Sequence, residues 1–177
     1  MSDLIRVGIF GQSECGKTKL AKFLARQLCL SRKRLALVLD INGEDWGNRA
    51  VVVGDYDKFQ RVVWSVKNLV VVIDEGTETI ARDKDKTGLF TRIRHQQHDL
   101  FVMAHDGAVL LPVQRNQLNE VYQFQCTPEQ AELWRNRFAD DEMRAAPKLA
   151  QYEFLHKKSF APCVRGKLNA QEISSVP

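Results

Sequence analysis

Near its amino end the chain carries Gly11-Gln12-Ser13-Glu14-Cys15-Gly16-Lys17-Thr18, a complete match to the spacing G-x-x-x-x-G-K-[ST]. That spacing leaves little freedom in the local fold. Glycines at both ends let the main chain wrap closely around an anion, with its N–H groups converging on it. The flanks agree: Leu4 to Phe10 is an apolar run that reads as a strand, and Lys17 to Leu28 sets Leu20, Phe23, Leu24, Gln27 and Leu28 at helical spacing. Strand, tight loop and helix in that order present a bound phosphate to the positive end of a helix dipole. Gly11, Gln12, Ser13, Glu14, Cys15 and Gly16 are therefore the candidate cradle. Lys17 reaches the terminal phosphates, Thr18 offers a hydroxyl to magnesium, and Lys19 stands in the first helical turn. Cys15 reads as a small filler.

Downstream, short apolar runs alternate with helical patterns. Arg34 to Leu39 reads as a buried strand closed by Asp40, Asn42 to Asn48 as a loop, Ala50 to Val53 as a short strand and residues 55–66 as a helix. Asn68 to Ile73 has the unbroken Val/Ile/Leu character of a central parallel strand covered on both faces. A polar loop from Gly76 to about Lys86 leads into one helix ending near Gln97, followed by a strand at Leu100 to Ala104. Pro112 bars a regular continuation. Val121 to Phe124 suggests a further strand, Thr127-Pro128-Glu129 opens a helix that ends near Phe138, and Tyr152 to Leu155 suggests an edge strand. The pattern predicts an α/β fold, a mostly parallel sheet flanked by helices on both faces. Residues 1–155 form its one domain, and residues 156–177 a tail that is loosely ordered or used for docking. Sites in such sheets lie outside the carboxyl ends of the strands. Asp40, Asp74 and His105 each directly follow a strand and so gather on one edge.

The 177 residues and 44% hydrophobic content suit a domain with a sizeable core. The longest apolar runs span about five residues, where a membrane helix needs about 20, and Met1-Ser2-Asp3 lacks the order of a signal peptide. A soluble, intracellular protein is expected. Cys15, Cys29, Cys126 and Cys163 are scattered without CxxC or Cys/His spacing, which excludes a zinc site and a disulfide scaffold and predicts reduced thiols. A formal charge of +4 is compatible with a polyanionic partner but decides little by itself.

Leu69-Val70-Val71-Val72-Ile73-Asp74-Glu75 places two carboxylates at the end of a buried strand, where charge is costly unless a cation or hydrogen bonds compensate. Magnesium would do so. Asp74 is the candidate metal partner alongside Thr18, and Glu75, pointing to the other side, is the candidate group that orients and deprotonates water. The pair favours hydrolysis over transfer to a small molecule, because a kinase excludes water. No Asn-Lys-x-Asp for guanine is present, and the only local D-x-x-G, Asp40-Ile41-Asn42-Gly43, follows the wrong strand. ATP is expected rather than GTP.

From the acid pair onward the chain resembles the FtsK/HerA superfamily of DNA pumps, particularly the small genome-packaging ATPases of tailless viruses with an internal membrane. The landmarks are the phosphate loop, Asp40-Ile41-Asn42-Gly43-Glu44, Asp74-Glu75, Arg94-His95, the strand Leu100 to Ala104 and Pro112-Val113-Gln114-Arg115-Asn116, together covering about residues 4 to 125. The resemblance implies a RecA/FtsK-like P-loop NTPase that hydrolyses ATP with Mg2+. It also implies a homo-oligomer, a hexameric ring, that moves double-stranded DNA into a preformed capsid, in the host cytoplasm or at the virion vertex. In such a ring an arginine of one subunit touches the γ-phosphate held by its neighbour, a contact worth about 10³ to 10⁵ in rate among GTPases. Arg94 is the first candidate and Arg115 the second. One departure matters: the family usually carries glutamine where this strand ends Met103-Ala104-His105. His105 would then sense the γ-phosphate, which a neutral imidazole can do by donating one hydrogen bond.

The alternating segment Arg82-Asp83-Lys84-Asp85-Lys86 is a solvated loop in a monomer, whereas in a ring Arg82, Lys84 and Lys86 can point into the channel and meet DNA. Lys157-Lys158 with Arg165 and Lys167 is a second basic candidate, for DNA or a capsid vertex. No base-reading motif accompanies them, so backbone-directed, sequence-independent binding is expected. Two rivals remain open: a filamentous-phage assembly ATPase of the Zot type, which works at a membrane, and a small-molecule P-loop kinase.

Overall fold

Strands with apolar side chains on both sides of the backbone need cover on two faces, and that requirement organises this molecule. The computed structural model describes residues 4–80 and 82–169. Its strands are β1 (Arg6–Phe10), β2 (Ala36–Leu39), β3 (Ala50–Val53), β4 (Val70–Ile73), β5 (Asp99–Ala104), β6 (Glu120–Gln123), β7 (Glu153–Lys158) and β8 (Val164–Lys167). They form one sheet in the order β3-β2-β4-β5-β1-β6-β7-β8. The run from β3 to β6 is parallel, and β7 and β8 pair antiparallel. The helices are α1 (Lys17–Arg32), α2 (Tyr56–Ser65), α3 (Gly76–Thr79), α4 (Gly88–Thr91), α5 (Pro112–Arg115) and α6 (Pro128–Phe138).

Alternation along the strands sorts the core into two layers. Val7, Ile9, Val38, Val70, Val72, Phe101 and Met103 face α1, while Leu37, Leu39, Val71, Ile73, Leu100 and Val102 face Phe59 and Val63 of α2 and Trp134 of α6. Trp134 stacks on Phe10 with ring centroids 4.9 Å apart. α1 runs one turn beyond Leu28, to Arg32, where Lys33 turns left-handed and its N–H caps the Cys29 and Leu30 carbonyls. Its deep face is Leu20, Ala21, Ala25 and Cys29. Small residues there let the helix lie close to the sheet, and Leu24 and Leu28 pack at its margin.

Two expectations are corrected. The single helix expected before Gln97 is instead α4 between two 3-10 turns, Asp85–Thr87 and Ile93–Gln96. Thr87, Gly88 and Thr91 propagate a helix poorly, and the chain bends to bury Leu89, Phe90 and Ile93 against the α2 layer. The boundary expected at residue 155 falls inside β7, and β8 follows, so residues 156–158 and 164–167 belong to the sheet. Pairing with β7 satisfies the otherwise open edge of β6 and buries Leu155. Residues 170–177 lie outside the described residues.

At the amino edge, buried Asp99 accepts from Arg32 at 2.6 Å, Arg34 at 2.7 Å and the Ile5 N–H at 3.0 Å. This carboxylate pins the end of α1 to the sheet, leaving the start of α1 facing the opposite edge.

Candidate active site

Strand order decides which loops meet at that opposite, carboxyl edge. β5 lies between β1 and β4, so the residue after β5 falls between the phosphate loop and the acid pair. On the other side of β1 lies β6, and antiparallel β7 begins near its carboxyl end, with Leu155 opposite Gln123. One cleft of about 500 Å³ results. Glu75 and His105 line one flank, the loop residues Ser13, Glu14, Gly16, Lys17, Thr18 and Lys19 the middle, and Gln151 and Tyr152 the other flank. A second cleft, about 400 Å³ between α1 and residues 46–50, holds none of the motif residues.

The phosphate loop is held tightly from outside. Gly11 and Gly16 have φ of 152° and 107°, and a Cβ on Gly11 would come within 2.6 Å of the Phe124 Cβ. Lys17 is buried, and its Nζ donates to the Gly11 and Gln12 carbonyls at 2.9 Å each, which fixes the ammonium over the loop. Gln12, Ser13 and Glu14 are exposed, Thr18 and Lys19 half-buried. Cys15 is buried, and that burial pushes its thiol up, which suits an unreactive filler.

Asp74 is 4% exposed, and its Oδ1 accepts from the Glu75 N–H at 2.9 Å. Burial, with Asp40, Glu75 and Glu44 nearby, nevertheless pushes its carboxyl up to about 6. Asp40 is occupied elsewhere: its oxygens accept from the N–H groups of Asn42, Gly43 and Glu44 and from Trp46 Nε1, shaping the loop after β2. Glu75 is left-handed at φ 49°, and its Oε2 lies 3.5 Å from His105 Nε2. Glu14 and Tyr152, also in the cleft, share that conformation at φ 60° and 67°. Such residues cost on the order of 1–3 kcal/mol each and gather where geometry serves a site.

Magnesium usually keeps several waters and takes only one or two protein groups besides phosphate. Thr18 and Asp74 can supply that pair, and a buried carboxyl at about 6 is one that a cation would stabilise. Among the described residues no group of three or more His, Cys, Asp or Glu could hold a metal by itself. The residues fit magnesium shared with a phosphate chain.

The arginines and lysines divide differently. Arg94 is exposed, in the turn before β5, beside Arg6 at the start of β1. It stands roughly 16 Å, a strand length, from its own cleft. The Arg115 guanidinium donates to the Gly107 and Leu110 carbonyls and closes the turn after β5. Arg82 and Lys84 are exposed. Lys86 is not: its Nζ donates to the Thr79 carbonyl at 2.6 Å and lies 4.3 Å from the Tyr56 ring centroid. Lys157 is buried against Asp140 at 2.7 Å, while Lys158, Arg165 and Lys167 of the second basic set are exposed, Arg165 pairing with Glu153 at 2.6 Å. Gln151 was not singled out in the sequence, and Tyr152 only as the start of an edge strand. They carry no motif, and only the return of β7 brings them to the loop.

A phosphate loop between β1 and α1, an acid pair two strands away and a mostly parallel sheet covered on both faces make this the fold of the P-loop NTPases. No protein-family model matches the sequence, and a comparison with curated proteins finds no match. The likeness is one of structure. The genome-packaging NTPase B204 from Sulfolobus turreted icosahedral virus 2, in complex with AMPPCP, superposes with a TM-score of 0.76 at 18% identity, over 96% of this chain and 100% of that one. The pCW3 conjugation coupling protein TcpA with ATPγS gives 0.62 at 16% identity, over 93% of this chain and 60% of that one. The N-terminal domain of zonular occludens toxin from Neisseria meningitidis gives 0.60 at 12% identity, over 97% and 98%.

Proposed function

We propose that this chain is the ATP-hydrolysing subunit of a DNA translocase that packages double-stranded viral DNA into a preformed capsid. The observation that carries the reading is a single cleft in which Lys17, Thr18, Glu75 and His105 meet, with Asp74 beside them at the same sheet edge. The fold likeness to the packaging NTPase B204, over nearly all of both chains, supports it.

Lys17 Nζ neutralises charge on the β- and γ-phosphates, and the main-chain N–H groups of the loop hold the chain of phosphates in place. Thr18 and Asp74 would hold magnesium, which when bound draws off charge that develops on the phosphate oxygens. Glu75 orients a water and takes its proton as the water oxygen bonds to the γ-phosphorus. The β–γ bridge then breaks, and ADP and phosphate leave. His105 stands close enough to Glu75 to exchange that contact for a hydrogen bond to the γ-phosphate, so its position reports whether the phosphate is present. Arg94, on the far edge of the sheet, completes the site of the next copy in a ring, hexameric by analogy with the superfamily. Arg82 and Lys84 are the exposed cations of the loop that would meet the DNA backbone.

Lys17→Ala should abolish ATP binding, measured calorimetrically, while Glu75→Gln should bind ATP and release no phosphate. Duplex DNA should stimulate phosphate release by the unaltered chain. A phosphorylated nucleoside product would make the protein a kinase, and normal turnover in both variants would overturn the site.

A further inference from the structure

The flank of the cleft beyond the phosphate loop, on the β6 side, has no part in the hydrolytic steps, yet an aromatic ring is fixed there. We propose that Tyr152 is the platform on which the nucleobase stacks, with Gln151 beside it, an assignment that rests on the nucleotide reading of the cleft.

The sheet order sets the direction of the ligand. Glu75 and His105 follow β4 and β5 and mark the γ-phosphate end; the loop after β1 lies in the middle; Tyr152, just ahead of β7, lies on the remaining side. A triphosphate laid along the loop from the acids therefore delivers its nucleoside to Tyr152. The ring is held for that position by the backbone. Tyr152 keeps φ at 67°, a conformation unusual for a bulky residue. The Leu168 N–H donates to its carbonyl at 3.0 Å, and the Glu153 N–H closes the turn onto Ala150 at 3.0 Å. The ring edge rests on the loop so closely that a Cβ on Gly16 would come within 3.0 Å of it. Lys19 Nζ stands over the ring, 5.6 Å from its centroid. Gln151 is exposed, and its Nε2 donates to the Glu14 carbonyl at 3.3 Å, which ties this turn to the phosphate loop.

The chemistry also sets the substrate class. Every base offers a π-face, so stacking supplies affinity without strong base identity. The cleft should take nucleoside triphosphates, discriminating only modestly among their bases.

Calorimetry of the full chain with magnesium, using ATPγS and inorganic tripolyphosphate as separate probes, separates platform from cradle. Tyr152→Leu keeps an apolar side chain against Gly16 but removes the π-face. It should bind ATPγS about 5- to 150-fold more weakly, the worth of one stacked base, and bind tripolyphosphate as tightly as the parent, which also shows the loop intact. Tyr152→Phe should match the parent for both, and Lys17→Ala should lose both. Unchanged ATPγS affinity in Tyr152→Leu would overturn the assignment, as would an equal loss for the two probes, which would make the ring a support for the loop. If the parent binds neither probe, the nucleotide reading itself fails and takes the platform with it.

Discussion

Asp74→Asn tests whether the buried acid is held at a cost to stability. Moving a carboxyl from its ordinary 3.8 up to about 6 penalises the ionised form by about 3 kcal/mol. At 4% exposure solvent offers Asp74 little screening. Below pH 3.8 the acid is protonated in both folded and unfolded chains, and no penalty exists. Between that value and about 6 the folded chain binds more protons than the unfolded one, so stability falls as pH rises. Above 6 the cost is fully expressed. An asparagine cannot ionise, and its side-chain oxygen can keep the bond from the Glu75 N–H. In magnesium-free buffer at pH 7 the variant should therefore be more stable than its parent by up to about 3 kcal/mol, or roughly 6–12 °C in Tm for a domain of this size. Thermal melts with a chelator from pH 3.5 to 8, expressed as variant minus parent, cancel the other titrating groups. Buried His98, whose pKa burial pushes down, is one of those, and it acts with the opposite slope. A difference that stays constant across the range, or a variant less stable than its parent at pH 7, would refute the argument.

Other perturbations reach other parts of the fold. Asp99→Ala removes the buried carboxylate that Arg32, Arg34 and the Ile5 N–H share and should cost about 3–5 kcal/mol in urea denaturation; a loss below about 1 kcal/mol would show the cluster to be dispensable. Gly11→Ala drives a Cβ toward Phe124 at a φ of 152° and should impair ATP binding even if the chain still folds, a result read by calorimetry beside a circular dichroism melt. Arg94→Ala and Glu75→Gln should each be inactive alone and complement when mixed. Random assembly of equal amounts pairs an intact cleft with an intact neighbouring arginine at about a quarter of the interfaces, and a mixture as inactive as its parts would argue against an arginine acting between subunits.

Much of the site was legible because its chemistry is local. The phosphate loop needs glycines, a lysine and a threonine within eight consecutive residues, and the acid pair needs an apolar strand ahead of it. The start of α6 was equally plain: Thr127 Oγ1 accepts from the Gln130 N–H while the Gln130 side chain accepts from the Thr127 N–H, a capping box written in four residues. The break between Lys86 and Gln97 was less plain, because Leu89, Phe90 and Ile93 suit a continuous helix until the α2 layer they must fill is known.

The sequence by itself therefore marked most of the strands, the helices α1, α2 and α6, the candidate phosphate cradle and the strand-end acids, since each depends on neighbours in the chain. Only the tertiary structure decided that β5 lies between β1 and β4 and sets His105 against Glu75, that Arg94 lies at the sheet edge opposite its own cleft, and that Lys86, Lys157 and Arg115 spend their charge inside the molecule. It also decided that β7 returns antiparallel and brings Tyr152 to the loop. Strand order and the partner of a long cationic side chain are set by residues tens of positions away, where pairing and burial are won through space and leave no periodic trace along the chain.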